Sequence, residues 1–276
     1  MNEWLKQSNG RWALITGASA GIGKAFATVF ARNGFNLVLV ARREEKLKSL
    51  AEQMEKLFEI QTKILVSDLA DPASSQQIYD TLKADQIMVS AMVNNAGYAL
   101  NTKFLEASWQ DHQDMIQVMM TAVTQMCYLF AGEMKKQKYG RIINVASVAA
   151  FSPQMPGNLY GGIKSYVAGI SDALHMELSR HGVNCTALCP GFTRSEFHDV
   201  MGVRESIDRL PQFMWSTAED VAEQGYQAVM KGKVFCIPGI FYKVLTIIMG
   251  GVPKSFKSWL PSIRSFNSRK VPIIFR

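Results

Sequence analysis

Short runs of apolar and β-branched residues alternate with longer stretches of helical periodicity along this 276-residue chain. Residues 12–16 (WALIT) and 36–41 (NLVLVA) are nearly all apolar, and 63–67, 87–94, 141–146, 184–188 and 234–237 repeat the pattern. Helical segments lie between them, at 21–33, 44–58, 108–136 and 159–181. In the segment 44–58, Leu47, Leu50, Met54 and Phe58 share one side. Strands that are apolar on both faces and separated by helices predict a parallel sheet covered on both sides, with right-handed crossovers. The expected fold is a doubly wound α/β sheet of about seven strands, whose ligand belongs at the carboxyl ends of the strands.

Composition narrows the function classes. Hydrophobic residues make up 48% and charged residues 19%, as in a globular protein. Met1 to Gly10 has no apolar run, so no secretory signal is expected. Cys127, Cys185, Cys189 and Cys236 form no metal-binding spacing and read as small core residues of a cytoplasmic protein. His112, His175, His181 and His198 show no ligand spacing either, and no metal is expected. The net charge of +7 is uneven: residues 231–276 hold nine Lys or Arg and no Asp or Glu, leaving −2 (7 minus 9) for the rest. The body is therefore not expected to bind nucleic acid.

The first strand runs into Thr16-Gly17-Ala18-Ser19-Ala20-Gly21-Ile22-Gly23. Such a strand, glycine turn and helix N-terminus lets backbone N–H groups approach a pyrophosphate closely. The TGxxxGxG spacing resembles the short-chain dehydrogenase/reductase family and its Rossmann-like fold. Three further segments carry the resemblance: Asp68-Leu69 past the third strand, Asn94-Asn95-Ala96-Gly97 ending the fourth, and Pro190-Gly191 after the sixth. It spans residues 11–238, taken with the preceding N-terminal residues as one catalytic domain, 1–238. The resemblance implies a nicotinamide cofactor held by Gly17, Ser19, Gly21, Ile22, Gly23, Asp68, Leu69, Asn95, Ala96, Gly97, Pro190, Gly191, Thr193 and Ser195. The second strand ends at Ala41, followed by Arg42 and Arg43, with no carboxylate for a ribose diol. A guanidinium pairs well with a 2′-phosphate, so NADP(H) is expected, with Arg42 as the main contact and Ser19 assisting. Ala20 departs from the family pattern, since many NADP-binding members have a basic residue there.

Tyr160 and Lys164 lie four residues apart, on one face of a predicted helix, and Ser147 ends the fifth strand. Carbonyl reduction needs a proton at oxygen as well as a hydride at carbon. A free phenol, with a pKa of about 10, is a poor base at neutral pH, and a neighbouring ammonium favours its ionised form. Tyr160 is therefore expected to be the general acid/base with a lowered pKa, and Ser147 to stabilise the substrate oxygen. The resemblance adds that Lys164 holds the nicotinamide ribose. Met119 stands where the family usually has an Asn that supports a water relay to the lysine.

The expected activity is interconversion of a carbonyl and an alcohol, on an apolar small molecule. A catalytically weak NADP(H)-binding sensor or scaffold and a membrane-surface lipid-carbonyl reductase are the alternatives. Residues 193–215 form the expected lid, and the resemblance implies a homodimer or homotetramer. Beyond 238 lies a basic, apolar extension, 239–276. Pro238, Gly239 and Lys243 interrupt its apolar run, so it is not expected to span a membrane. Two readings of it stay open: packing against the lid or a second subunit, or resting on anionic lipid through Phe256, Trp259, Leu260 and Ile263.

Overall fold

The computed structural model describes residues 10–100, 102–152, 159–194 and 211–251. The strands are β1 (Trp12–Thr16), β2 (Asn36–Ala41), β3 (Thr62–Val66), β4 (Val89–Asn94), β5 (Gly140–Val145), β6 (Val183–Leu188) and β7 (Phe235–Cys236). All pair in parallel, in the order β3-β2-β1-β4-β5-β6-β7. The helices are α1 (Gly21–Arg32), α2 (Glu44–Phe58), α3 (Ser74–Ala84), α4 (Trp109–Lys136), α5 (Tyr160–Leu178), α6 (Ala218–Met230) and α7 (Ile240–Gly251).

Alternation along each strand splits the core in two. Ala13, Ile15, Leu37, Leu39, Ala91 and Val93 face one layer, where Phe26 and Phe30 of α1, Leu47 of α2 and Tyr226 of α6 pack. Leu14, Val38, Val40, Met92 and Ile142 face the other, against Ile78 of α3, Met126 and Phe130 of α4, and Ile163 of α5. Apolar residues on both strand faces thus follow from helices on both sides. Helix α4 is apolar and long enough to cross a membrane by composition alone. Its Met115, Met119, Met126 and Met134 are buried in that second layer, which accounts for the composition as core.

The order of the sheet reverses between β1 and β4, so the crevice opens at their carboxyl ends. A single polar clasp holds those two ends together. Asn95 N and Ala96 N donate to Thr16 Oγ1 at 3.0 and 3.1 Å, and Asn95 Nδ2 donates to Thr16 O at 3.0 Å. Deeper in the sheet, Asn94 Nδ2 donates to Asn144 Oδ1 at 2.8 Å, and Asn144 Nδ2 to Ser171 Oγ at 3.0 Å. These buried amides are satisfied across β4, β5 and α5, fixing the strands whose ends build the site.

Candidate active site

The glycine turn is built for close approach. Gly17 and Gly21 have φ of +65° and +52°, which disfavour a side chain. A Cβ at Gly23 would lie 2.2 Å from Gly17 O and 2.6 Å from Asn95 Nδ2. Helix α1 has no side-chain cap at Ala20 and no acidic residue in its first turn. Its first N–H groups and its positive end are thereby left for an anion. Ser19 and Ile22, both partly exposed, line the same turn, and Gly97 lies exposed past the β4 end. These features fit a dinucleotide.

Beyond β2, Arg43 donates to Ser19 Oγ at 2.9 Å, while Arg42 Nη1 lies 3.6 Å from Asp68 Oδ2 on the exposed rim. The two adjacent arginines diverge, and the one touching Ser19 is Arg43. Leu69 is buried in the same core layer as Val40 and Ile78, so its side chain serves the core.

The Ser–Tyr–Lys set converges. Ser147 follows β5; its Oγ accepts from Ala149 N at 3.1 Å and bonds the Tyr160 phenol. The turn is pinned by Val148 N donating to Pro190 O at 3.0 Å and Ser165 Oγ donating to Ala150 O at 3.0 Å. Tyr160 begins α5, and one turn on Lys164 Nζ lies 5.4 Å from the centre of its ring. Lys164 is 6% exposed and donates to Val145 O at 2.7 Å.

Among the protein's own groups the Tyr160 pKa shift runs opposite to the expected lowering. Burial pushes the phenol up to about 12, and the Ser147 hydrogen bond offsets only part of that. Burial likewise brings Lys164 down to about 8 from 10.5. A stability signature follows. Between pH 8 and 10.5 the unfolded lysine holds its proton and the folded one releases it, so folded stability rises with pH there. Below pH 8 burying the charge costs about 3 kcal/mol. Lys164→Met is expected to be more stable than wild type at pH 7, with the difference shrinking toward pH 10; parallel chemical denaturation curves measure it.

Pro190 and Gly191 follow β6 as expected, and Thr193, 4% exposed, donates from Oγ1 to Gly191 O at 3.1 Å. Ser195, His198 and most of the expected lid lie outside the described residues. The base of that segment is closed by a bridge: Ser216 N donates to Phe192 O at 2.9 Å, and Arg194 N to Ser216 O at 3.0 Å. Sequence reasoning missed Tyr242. Its hydroxyl donates to Met214 O at 2.7 Å and accepts from Phe192 N at 3.1 Å, tying Phe192 to Met214. Its ring lies against Gly191, where a Cβ would fall 2.1 Å from it. Nothing in the local sequence links residue 242 to residue 191; Thr16, by contrast, stood inside the glycine motif. Met119 is 1% exposed and packs against Gly97, inside a π-helical turn at Gln117–Thr121.

A glycine turn at the switch point and a Ser–Tyr–Lys cluster at the same sheet edge define a nucleotide-binding Rossmann oxidoreductase. Comparison with known proteins resolves the class further. The short chain dehydrogenase family profile matches residues 11–204. The chain is 33% identical over 222 residues to a very-long-chain 3-oxoacyl-CoA reductase of Phaeosphaeria nodorum, covering 78% of this chain and 64% of that protein. It is 29% identical to mouse 17-beta-hydroxysteroid dehydrogenase type 3, covering 90% of this chain and 78% of the other. A short-chain dehydrogenase from Sphingobium yanoikuyae, solved in complex with NADPH, superimposes with a TM-score of 0.79 at 27% identity, covering 96% of this chain and all of that one. This chain belongs to the short-chain dehydrogenase family.

Proposed function

We propose that this protein interconverts a carbonyl and an alcohol with NADP(H), on an apolar substrate, with Tyr160 as proton donor and acceptor. The observation that carries this is the meeting of Ser147, Tyr160 and Lys164 at the carboxyl edge of β5, beside the Pro190-Gly191 turn. When bound, the nicotinamide supplies or accepts the hydride. Tyr160 Oη gives its proton to the substrate oxygen in reduction and takes it back in oxidation. Ser147 Oγ, oriented by Ala149 N, donates to the same oxygen as charge develops there. Lys164, held by Val145 O, positions the phenol and lowers the cost of its negative charge.

An apolar substrate is supported by the rings at the lid base, where Phe192 lies 5.8 Å from Trp215 and Met214 is buried. Two relatives are named for bulky, apolar compounds, a hydroxysteroid and a very-long-chain acyl group. The same reading includes a homodimer or homotetramer formed through α4 and α5, which expose Tyr128 and Met176.

For the cofactor, the absence of a carboxylate at the end of β2 and the presence of Arg42 and Arg43 favour the 2′-phosphate. Arg42→Ala is expected to weaken NADPH binding about ten- to a hundredfold and leave NADH unchanged. Fluorescence titration of both nucleotides tests it; unchanged NADPH affinity would reject Arg42 as the main contact. Loss of NADPH absorbance with a panel of hydrophobic ketones and aldehydes tests the activity itself.

A further inference from the structure

Helix α7 has two unlike faces. Tyr242 and Thr246, one turn apart, are 3% and 9% exposed and face the body. Ile240, Val244, Ile247 and Ile248, at i, i+4, i+7 and i+8, face outward, with exposures of 79%, 51%, 75% and 61%. Phe213, also exposed, continues this surface: its ring meets Phe241 edge-on at 5.3 Å. Four branched aliphatic side chains on one exposed helical stripe exceed the scattered apolar residues of an ordinary surface.

Charge identifies what covers it. The stripe lies in the segment 231–276, with its nine basic and no acidic residues, and Lys243 is exposed beside it. A second copy placed face to face would bring two such segments together and be repelled. An anionic bilayer satisfies both properties at once: the aliphatic stripe enters the acyl boundary while the cations meet lipid phosphates and carboxylates. We infer that the outer face of α7, with Phe213, docks on an anionic lipid surface. The inner face then fixes what is presented there. Through Tyr242 the helix holds Phe192 and Met214, so the stretch that follows the Pro190-Gly191 turn is carried to the lipid boundary. The further consequence, delivery of an apolar carbonyl from the bilayer, rests on the proposed function; the docking does not.

The test is co-sedimentation of the full chain with phosphatidylcholine vesicles, with and without about 30% phosphatidylserine. Wild type is expected to bind the anionic vesicles and to lose much of that binding in high salt. The Ile247→Asp/Ile248→Asp variant is expected to lose at least about tenfold in partitioning. Its thermal unfolding and its turnover of a small water-soluble ketone are expected to match wild type, since neither residue touches the site. Equal binding by wild type and variant, or no binding by wild type, overturns the proposal. So does a variant that converts a larger assembly to a smaller one in size-exclusion chromatography without changing vesicle binding. Vesicle binding by a protein that turns over no carbonyl supports the docking and counts against the proposed function alone.

Discussion

Tyr160→Phe is expected to lower turnover about a thousandfold while NADPH affinity stays close to wild type. The substitution removes one oxygen and leaves the ring packed beside Ile163 and the second core layer. What is lost is the phenol bonded to Ser147, which the proposed mechanism uses as the proton donor for the substrate oxygen. The ring face near Lys164 Nζ persists, so the lysine keeps its place on Val145 O. Single-turnover absorbance at the nicotinamide band, with nucleotide binding measured separately by fluorescence, distinguishes lost chemistry from lost binding. Residual turnover near a tenth of wild type would remove Tyr160 from the role. Because burial holds the free protein's phenol near 12, oxidation of an alcohol should be the more pH-sensitive direction, gaining at alkaline pH.

Gly23→Ala is expected to abolish nucleotide binding and to destabilise the fold by about 3 kcal/mol. The new methyl would fall 2.2 Å from Gly17 O and 2.6 Å from Asn95 Nδ2. Neither neighbour is the loose end of a flexible side chain. Gly17 O is backbone in the turn itself, and Asn95 Nδ2 is bonded to Thr16 O. Relief therefore means moving α1 off the sheet or opening the β1–β4 junction, and each of those spoils the anion cradle. Differential scanning calorimetry with and without NADPH measures both effects: a lower melting temperature, and no ligand-induced rise. A variant still stabilised by NADPH would show that the helix can shift without cost to the site.

Much of the fold was readable because its strands are covered on both faces and so appear as unbroken apolar runs. β1, β2 and α2 match their expected bounds, and β3 lies one residue earlier than expected. β4 starts at Val89 rather than at 87, since Ile87 N closes the end of α3 by donating to Leu82 O and Met88 is exposed. β7 shrinks to two residues, as a final edge strand with one neighbour needs little length. The convergence of Ser147, Tyr160 and Lys164 was legible because each sits at a strand end or helix start whose position the fold dictates. Three things were not. The divergence of Arg42 and Arg43 depends on side-chain direction, the π-helical turn at Met119 on local packing, and the raised Tyr160 pKa on how deeply the phenol itself is buried. None of these leaves a mark in residue spacing.

The grip of Tyr242 on residues 192 and 214 has a consequence for how the protein matures. Gly17, Asn95 and Thr16 can assemble once the first four strands exist, whereas the tie between Phe192 and Met214 waits for a residue fifty positions beyond Phe192. A chain emerging from the ribosome thus completes its glycine cradle well before the stretch after β6 is tied down, which follows only when α7 has emerged and folded back.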